Sequence, residues 1–167
     1  MTKAGRQHRI VSMYLREQAT KERNGFFMAH VGLLEDNPVI ARLTATMLNY
    51  TGHHVTIYEH PRDCLKALSL TNMCHTSPST LVSNTDIMLP VELLILDLHL
   101  PDIGGFQILE LIQNNNHTRS LPLIFCTAAT AREIDYALRL APQAYLIEKP
   151  FKMETLLSAV SNILQAH

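Results

Sequence analysis

The sequence predicts an α/β domain, a doubly wound five-stranded parallel sheet with helices on both faces. Three observations predict it. Short apolar runs, most of them partly β-branched or aromatic, recur five times along the chain. Segments whose apolar residues follow helical spacing lie between them, and strands alternating with helices imply a parallel sheet covered on both sides. The middle runs, LLIL at 93–96 and LIF at 123–125, are apolar throughout, as strands buried on both faces should be.

Each element has its own signal. The first strand is expected at Ala29–Leu34. A helix from Pro38 to Tyr50 follows Asp36-Asn37, a capping pair with proline just inside the start. Ile40, Leu43, Met47 and Leu48 fall on one of its faces, and Gly52 is placed to stop it. The second strand is Val55–Tyr58, followed by a short helix at Pro61–Leu70. The third strand is Glu92–Leu96, and its helix lines up Phe106, Leu109 and Ile112. The fourth is Pro122–Cys126, with Ile134, Ala137 and Leu138 on the helix after it. The fifth is Ala144–Ile147, and the last helix carries Leu156, Leu157, Val160 and Leu164 on one side. The Thr-, Ser- and Asn-rich stretch 71–89 exceeds the ~12–15 residues usual for a loop in a compact domain, and reads as a surface insertion.

Charge divides the chain. Residues 1–27 carry Lys3, Arg6, Arg9, Arg16, Lys21 and Arg23 against Glu17 and Glu22, while residues 28–167 are net acidic. The first segment therefore reads as a basic extension, with Ile10, Val11, Tyr14 and Leu15 in an amphipathic helical pattern, and the second as the main domain. An acidic main domain is a poor nucleic-acid binder. The three cysteines, Cys64, Cys74 and Cys126, form no C-x-x-C pair, which argues against a disulfide framework or zinc knuckle and suits a reducing cytoplasm. The nine histidines show no metal-ligand spacing. No apolar run approaches the ~18 residues of a membrane span, and the N-terminus has no secretory h-region.

In open parallel sheets the functional crevice lies beyond the C-terminal ends of the strands. Strand one ends in Glu35-Asp36, strand three in Asp97, strand four in Thr127, and strand five in Glu148-Lys149-Pro150. Singly, Asp36 reads as a helix cap, Thr127 as a turn residue and Lys149 as surface. Together, at one edge of one sheet, they read as a site. Three carboxylates in one pocket repel one another, and Lys149 cannot neutralise them all. A hard divalent cation with oxygen ligands resolves this, and Mg²⁺ suits a site with few carboxylates.

The motifs LLEDNP at 33–38, LLILDLHLPDIGG at 93–105, IFCTAA at 124–129 and IEKPF at 147–151 together resemble the receiver (CheY-like) family of two-component signalling, over about residues 28–165. The resemblance implies a flavodoxin-like sheet of order 2-1-3-4-5. It implies that Asp97 accepts a phosphoryl group from a histidine kinase or histidine phosphotransfer protein. Asp36 and Asp97 are then expected to hold Mg²⁺ directly, with the backbone carbonyl of His99, and Glu35 partly through water. Lys149 is expected to pair with a phosphate oxygen and Thr127 to donate its hydroxyl to another. Gly104 and Gly105 are expected to free the backbone of the turn after Pro101 and to let the third helix begin near the site. The fourth helix, fifth strand and fifth helix form the expected output face, for a partner or a homodimer. Such a domain is no enzyme beyond self-catalysed phosphoryl transfer and autodephosphorylation.

The sequence departs from the family at three places. The residue three before Lys149, where receivers usually carry an aromatic, is Leu146, and the aromatic is Tyr145. The 71–89 stretch is longer than the family needs. His99 stands two after Asp97, where a methionine is common. Other readings are a phosphatase of the haloacid-dehalogenase type, a flavodoxin-like cofactor carrier and a non-phosphorylated pseudo-receiver that only binds a partner. The phosphatase normally has a second Asp at the position of His99. The carrier needs a phosphate-cradling loop where Glu35-Asp36-Asn37-Pro38 stands. Against the pseudo-receiver stand the intact acidic pair, Asp97, Thr127 and Lys149.

Overall fold

The structure is a computed structural model that describes residues 28–70, 89–100 and 104–166. The extension at 1–27, nearly all of the 71–89 insertion, and Pro101 lie outside the described residues. Along the chain run β1 (His30–Leu34), α1 (Pro38–Tyr50), β2 (His54–Tyr58), α2 (Pro61–Ala67), β3 (Leu93–Leu96), α3 (Gly105–Gln113), β4 (Leu123–Thr127), α4 (Ala131–Leu140), β5 (Tyr145–Glu148) and α5 (Met153–Ala166). The strands form one sheet in the order β2-β1-β3-β4-β5, every neighbouring pair parallel. This is the flavodoxin-like α/β architecture, with every strand end within one residue of its expected place.

Each face of the sheet has its own core. Leu34, Tyr58, Leu94, Leu96 and Phe125 pack with Cys64, Leu109 and Ala137 on the side of α2, α3 and α4. Val31, Leu33, Leu93, Ile95 and Ile124 pack with Leu48 and Val160 on the side of α1 and α5. Successive β3 residues thus feed opposite cores, which is why LLIL has no polar position.

Helix ends follow local chemistry. The Asn37 side chain caps α1, accepting from the backbone N–H groups of Val39 (3.0 Å) and Ile40 (3.3 Å). Helix α1 stops as expected at Gly52, which takes φ 91°. Helix α2 ends at Ala67, three residues short of expectation. Ser69 adopts φ 59°, and the N–H groups of Ser69 and Leu70 return to the carbonyls of Lys66 and Leu65. That is a Schellman closure with serine in the left-handed position where glycine is usual, and it buries Leu70 completely.

Strand β5 keeps regular register with β4, Phe125 opposite Leu146 and Cys126 opposite Ile147. Leu146 packs on the α4 side and Ile147 on the α5 side, while Tyr145 is exposed. The aromatic therefore does not take the place of Leu146. Among the described residues, no helix is long and apolar enough to cross a membrane.

Candidate functional site

The C-terminal edge of the sheet brings the expected residues together. Glu35 and Asp36 follow β1, Asp97 follows β3, Thr127 ends β4, and Lys149 follows β5 beside the cis Lys149–Pro150 peptide. Lys149 Nζ donates to Glu35 Oε2 and to Asp97 Oδ2, each at 2.6 Å. Glu35 and Asp97 are 3% and 6% exposed, so these ion pairs are shielded from water, whereas Asp36 opens to solvent. Because Asn37 caps α1, the Asp36 carboxylate is left to the crevice.

Glu35, Asp36 and Asp97 each place an oxygen within 4.8 Å of the others. Three carboxylates therefore face one ammonium. Burial raises the Glu35 pKa, with Asp97 adding to the rise and Lys149 opposing it. Burial alone would lower Lys149, but hydrogen bonds and charge from Asp97 and Glu35 outweigh it and hold Lys149 above its ordinary value. The amine is a fixed cation, and the cluster keeps an excess of acid that it can share with a metal.

The remaining contacts orient the acids. Asp97 Oδ1 accepts the backbone N–H of His99 at 2.9 Å, so the two Asp97 oxygens have different partners. The second Glu35 oxygen accepts from Asn37 N at 3.3 Å. Thr127 is fully buried, and its Oγ1 accepts from Ala129 N at 3.2 Å, a bond that leaves its hydroxyl hydrogen for another acceptor. Lys149 N donates to the Thr127 carbonyl at 2.9 Å, which places the two residues side by side.

The two glycines meet one half of their expectation, the start of α3 near the site, and not the other, freedom in φ. Neither has a positive φ. A Cβ on Gly105 would lie 2.4 Å from the Asp97 carbonyl oxygen and 2.6 Å from Leu98 Cα, so Gly105 lets α3 start against the backbone that carries Asp97. Gly104 has open space around its Cβ position.

One contact escaped sequence reasoning. His99 Nε2 lies 3.2 Å from Glu133 Oε1 on α4, while Glu133 Oε2 accepts from the N–H and hydroxyl of Thr130, each at 2.7 Å. The bonds from Thr130 first, then His99, hold Glu133 down at about 2. The Thr130-x-x-Glu133 capping-box spacing was the available signal. It marks the start of α4, but says nothing of His99.

A Vibrio cholerae protein named "Probable cyclic di-GMP phosphodiesterase" is 31% identical over 77 residues, which are 46% of this chain and 17% of that protein. The chain thus matches only a small part of that relative's length. Among solved structures, the chemotaxis protein CheY4 of Vibrio cholerae superposes with TM-score 0.64 at 19% identity, over 81% of this chain and 98% of that one. A CheY-like response regulator receiver domain protein from Methanospirillum hungatei gives TM-score 0.65 at 19% identity, over 83% and 95%. At such identities the likeness is one of fold. The family described as "Response regulator receiver domain" matches residues 31–161, from β1 into α5. The chain belongs to the response regulator receiver domain family of two-component systems.

Proposed function

We propose that this domain is a phosphorylation switch in which Asp97 takes a phosphoryl group from a histidine kinase or a histidine phosphotransfer protein. The observation that carries this reading is the buried Asp97 carboxylate, held by Lys149 on one oxygen and by the His99 N–H on the other, beside two further acids. A carboxylate needs no general base to act as a nucleophile. An Asp97 oxygen attacks the phosphorus of the donor's phosphohistidine. The P–O bond forms as the P–N bond breaks, and the imidazole leaves and picks up a proton. Later attack by water releases phosphate and ends the signal, so turnover of a separate substrate is not part of this reading.

The donor set fits Mg²⁺, since it offers only oxygens and an uncompensated negative charge. Asp36, Asp97 and the His99 carbonyl would hold the ion, with Glu35 contributing partly through water. When bound, Mg²⁺ supplies neutralisation of charge on the phosphoryl oxygens. Lys149 exchanges a carboxylate partner for a phosphoryl oxygen as a point charge. Thr127 donates its hydroxyl to another oxygen, and the chain after it moves with that bond. The output face is α4, β5 and α5, for a partner or a second copy of the domain. Leu146 has no hydroxyl to join the switch. The setting is the cytoplasm, where kinase and donor are found.

The test is incubation of the full chain with acetyl phosphate and Mg²⁺, followed by intact mass. The wild type should gain one phosphoryl unit and Asp97→Asn none. Full labelling of folded Asp97→Asn would move the acceptor elsewhere. Asp36→Ala should bind Mg²⁺ more weakly at little cost in stability, because removing one acid also removes repulsion. Unchanged Mg²⁺ affinity would remove Asp36 from the ligand set.

A further inference from the structure

Two routes lead from the site toward α4. One passes along the backbone from Thr127, whose Oγ1 holds Ala129 N. The other runs through side chains. The Asp97 carboxylate holds the N–H of His99, the His99 ring meets Glu133 at 3.2 Å, and the second Glu133 oxygen holds both polar groups of Thr130, the N-cap of α4. Each oxygen of Glu133 thus serves a different element. Any shift in the backbone at His99 pulls on one end of a carboxylate fixed at its other end to the first turn of α4.

The surroundings make that pull effective. Of the ten residues of α4 only Ala137 is fully buried, whereas α5 buries five. The middle of α4 is held against α3, where Tyr136 donates to Glu110 at 2.5 Å and its ring stands 5.9 Å from that of Phe106. A lightly packed helix pinned at its middle pivots when its first turn is moved. Strand β5 offers no competing aromatic route, since Leu146 lies on the α4 side.

We propose that His99 and Glu133 are positioning residues that together carry the state of Asp97 to the N-terminus of α4. This rests on the reading of Asp97 as phosphoacceptor. Phosphorylation changes what the Asp97 oxygens hold, the His99 backbone follows, and the His99–Glu133 contact passes the change to Thr130 and the first turn of α4. The pair acts as one device, so losing either member should equal losing both.

The experiment uses the full chain with Mg²⁺, with and without beryllofluoride as phosphoryl mimic, and follows amide exchange in 130–136 by mass spectrometry. Acetyl phosphate labelling is run in parallel on every variant. In wild type the mimic should change exchange there by about tenfold, through a shifted local opening equilibrium. Glu133→Ala should remove most of that response while still accepting label, His99→Ala should remove it to the same extent, and the double variant should match the singles. His99→Gln, which keeps an N–H donor, should restore much of it, a rescue that general loosening of the loop would not give. If labelled His99→Ala and Glu133→Ala keep the wild-type response, or their losses add, the link is refuted and the reading of Asp97 stands. If the wild type takes no label at all, the reading of Asp97 fails and the link falls with it.

Discussion

Strands β3 and β5 are both four residues long, both pair with β4, and each is followed directly by a site residue, Asp97 and Lys149. Their settings are opposite. All four residues of β3 are buried, alternately in the two cores, while β5 buries only Ile147 fully and is the last strand of the sheet among the described residues. Asp97 is thus fixed by both halves of the core, and the amine that holds it comes from the side of the sheet with least to lose by moving. The switch proposed above needs one partner rigid and the other able to change what it holds, and these two strands would divide that work.

Substitutions can break this contrast. Leu96→Ala should cost about 2–5 kcal/mol in urea unfolding, the range for a large buried side chain lost from a packed core. Tyr145→Ala, at an exposed position, should stay within about 1 kcal/mol. Equal costs would mean that β5 is as firmly held as β3. Next in size is Gly105→Ala, expected to cost about 1–3 kcal/mol because its methyl group meets the Asp97 and Leu98 backbone. Gly104→Ala should lie within about 0.5 kcal/mol of wild type, having open space.

Cys126 on β4, between the two strands, sharpens the comparison. Burial pushes its thiol, and that of Cys64, up to about 12 from an ordinary 9. Three units mean about a thousandfold less thiolate at neutral pH, so both should resist alkylation in the native state. Cys126 should react faster once β5 is loosened by Ile147→Ala, with Cys64 unchanged. The unfolded chain loses these protons near pH 9 and the native chain near 12, so native stability falls as pH rises through that window. A melting temperature flat from pH 9 to 12 would contradict the burial of both thiols. The smallest effect is expected of Tyr145→Phe, which should leave beryllofluoride-dependent self-association within about twofold of wild type, since one surface hydroxyl contributes little. Thr127→Ala should uncouple it. An equal loss in the two variants would make Tyr145 part of the switch.

Much of this was legible in the sequence, for reasons that differ by residue. The strands announced themselves because β3 and β4 must be apolar on both faces, and that constraint is local. The site residues were legible because each stands where a strand ends, so topology alone gathers them. The choice between Asp36 and Asn37 as cap was not, since either side chain can do it and only geometry decides. The end of α2 was misplaced because nothing in Leu68-Ser69-Leu70 advertises a serine in the left-handed region. The glycine pair was assigned both to turn freedom and to the start of α3 near the site, and only the second holds, as room at Gly105 for the backbone of Asp97, a neighbour eight residues back. The His99–Glu133 contact joins positions 34 apart and leaves no periodic trace.

The bond from Lys149 to Glu35 spans 114 residues. Contacts of such separation close long loops and form late relative to local structure. On the ribosome the first strand and its two acids emerge long before the amine that tethers them. Until β5 docks, Glu35 and Asp97 lack that counter-charge, and their repulsion favours an open edge. A chain stopped before Lys149 carries every acid of the site without the amine that pairs with Glu35 and Asp97.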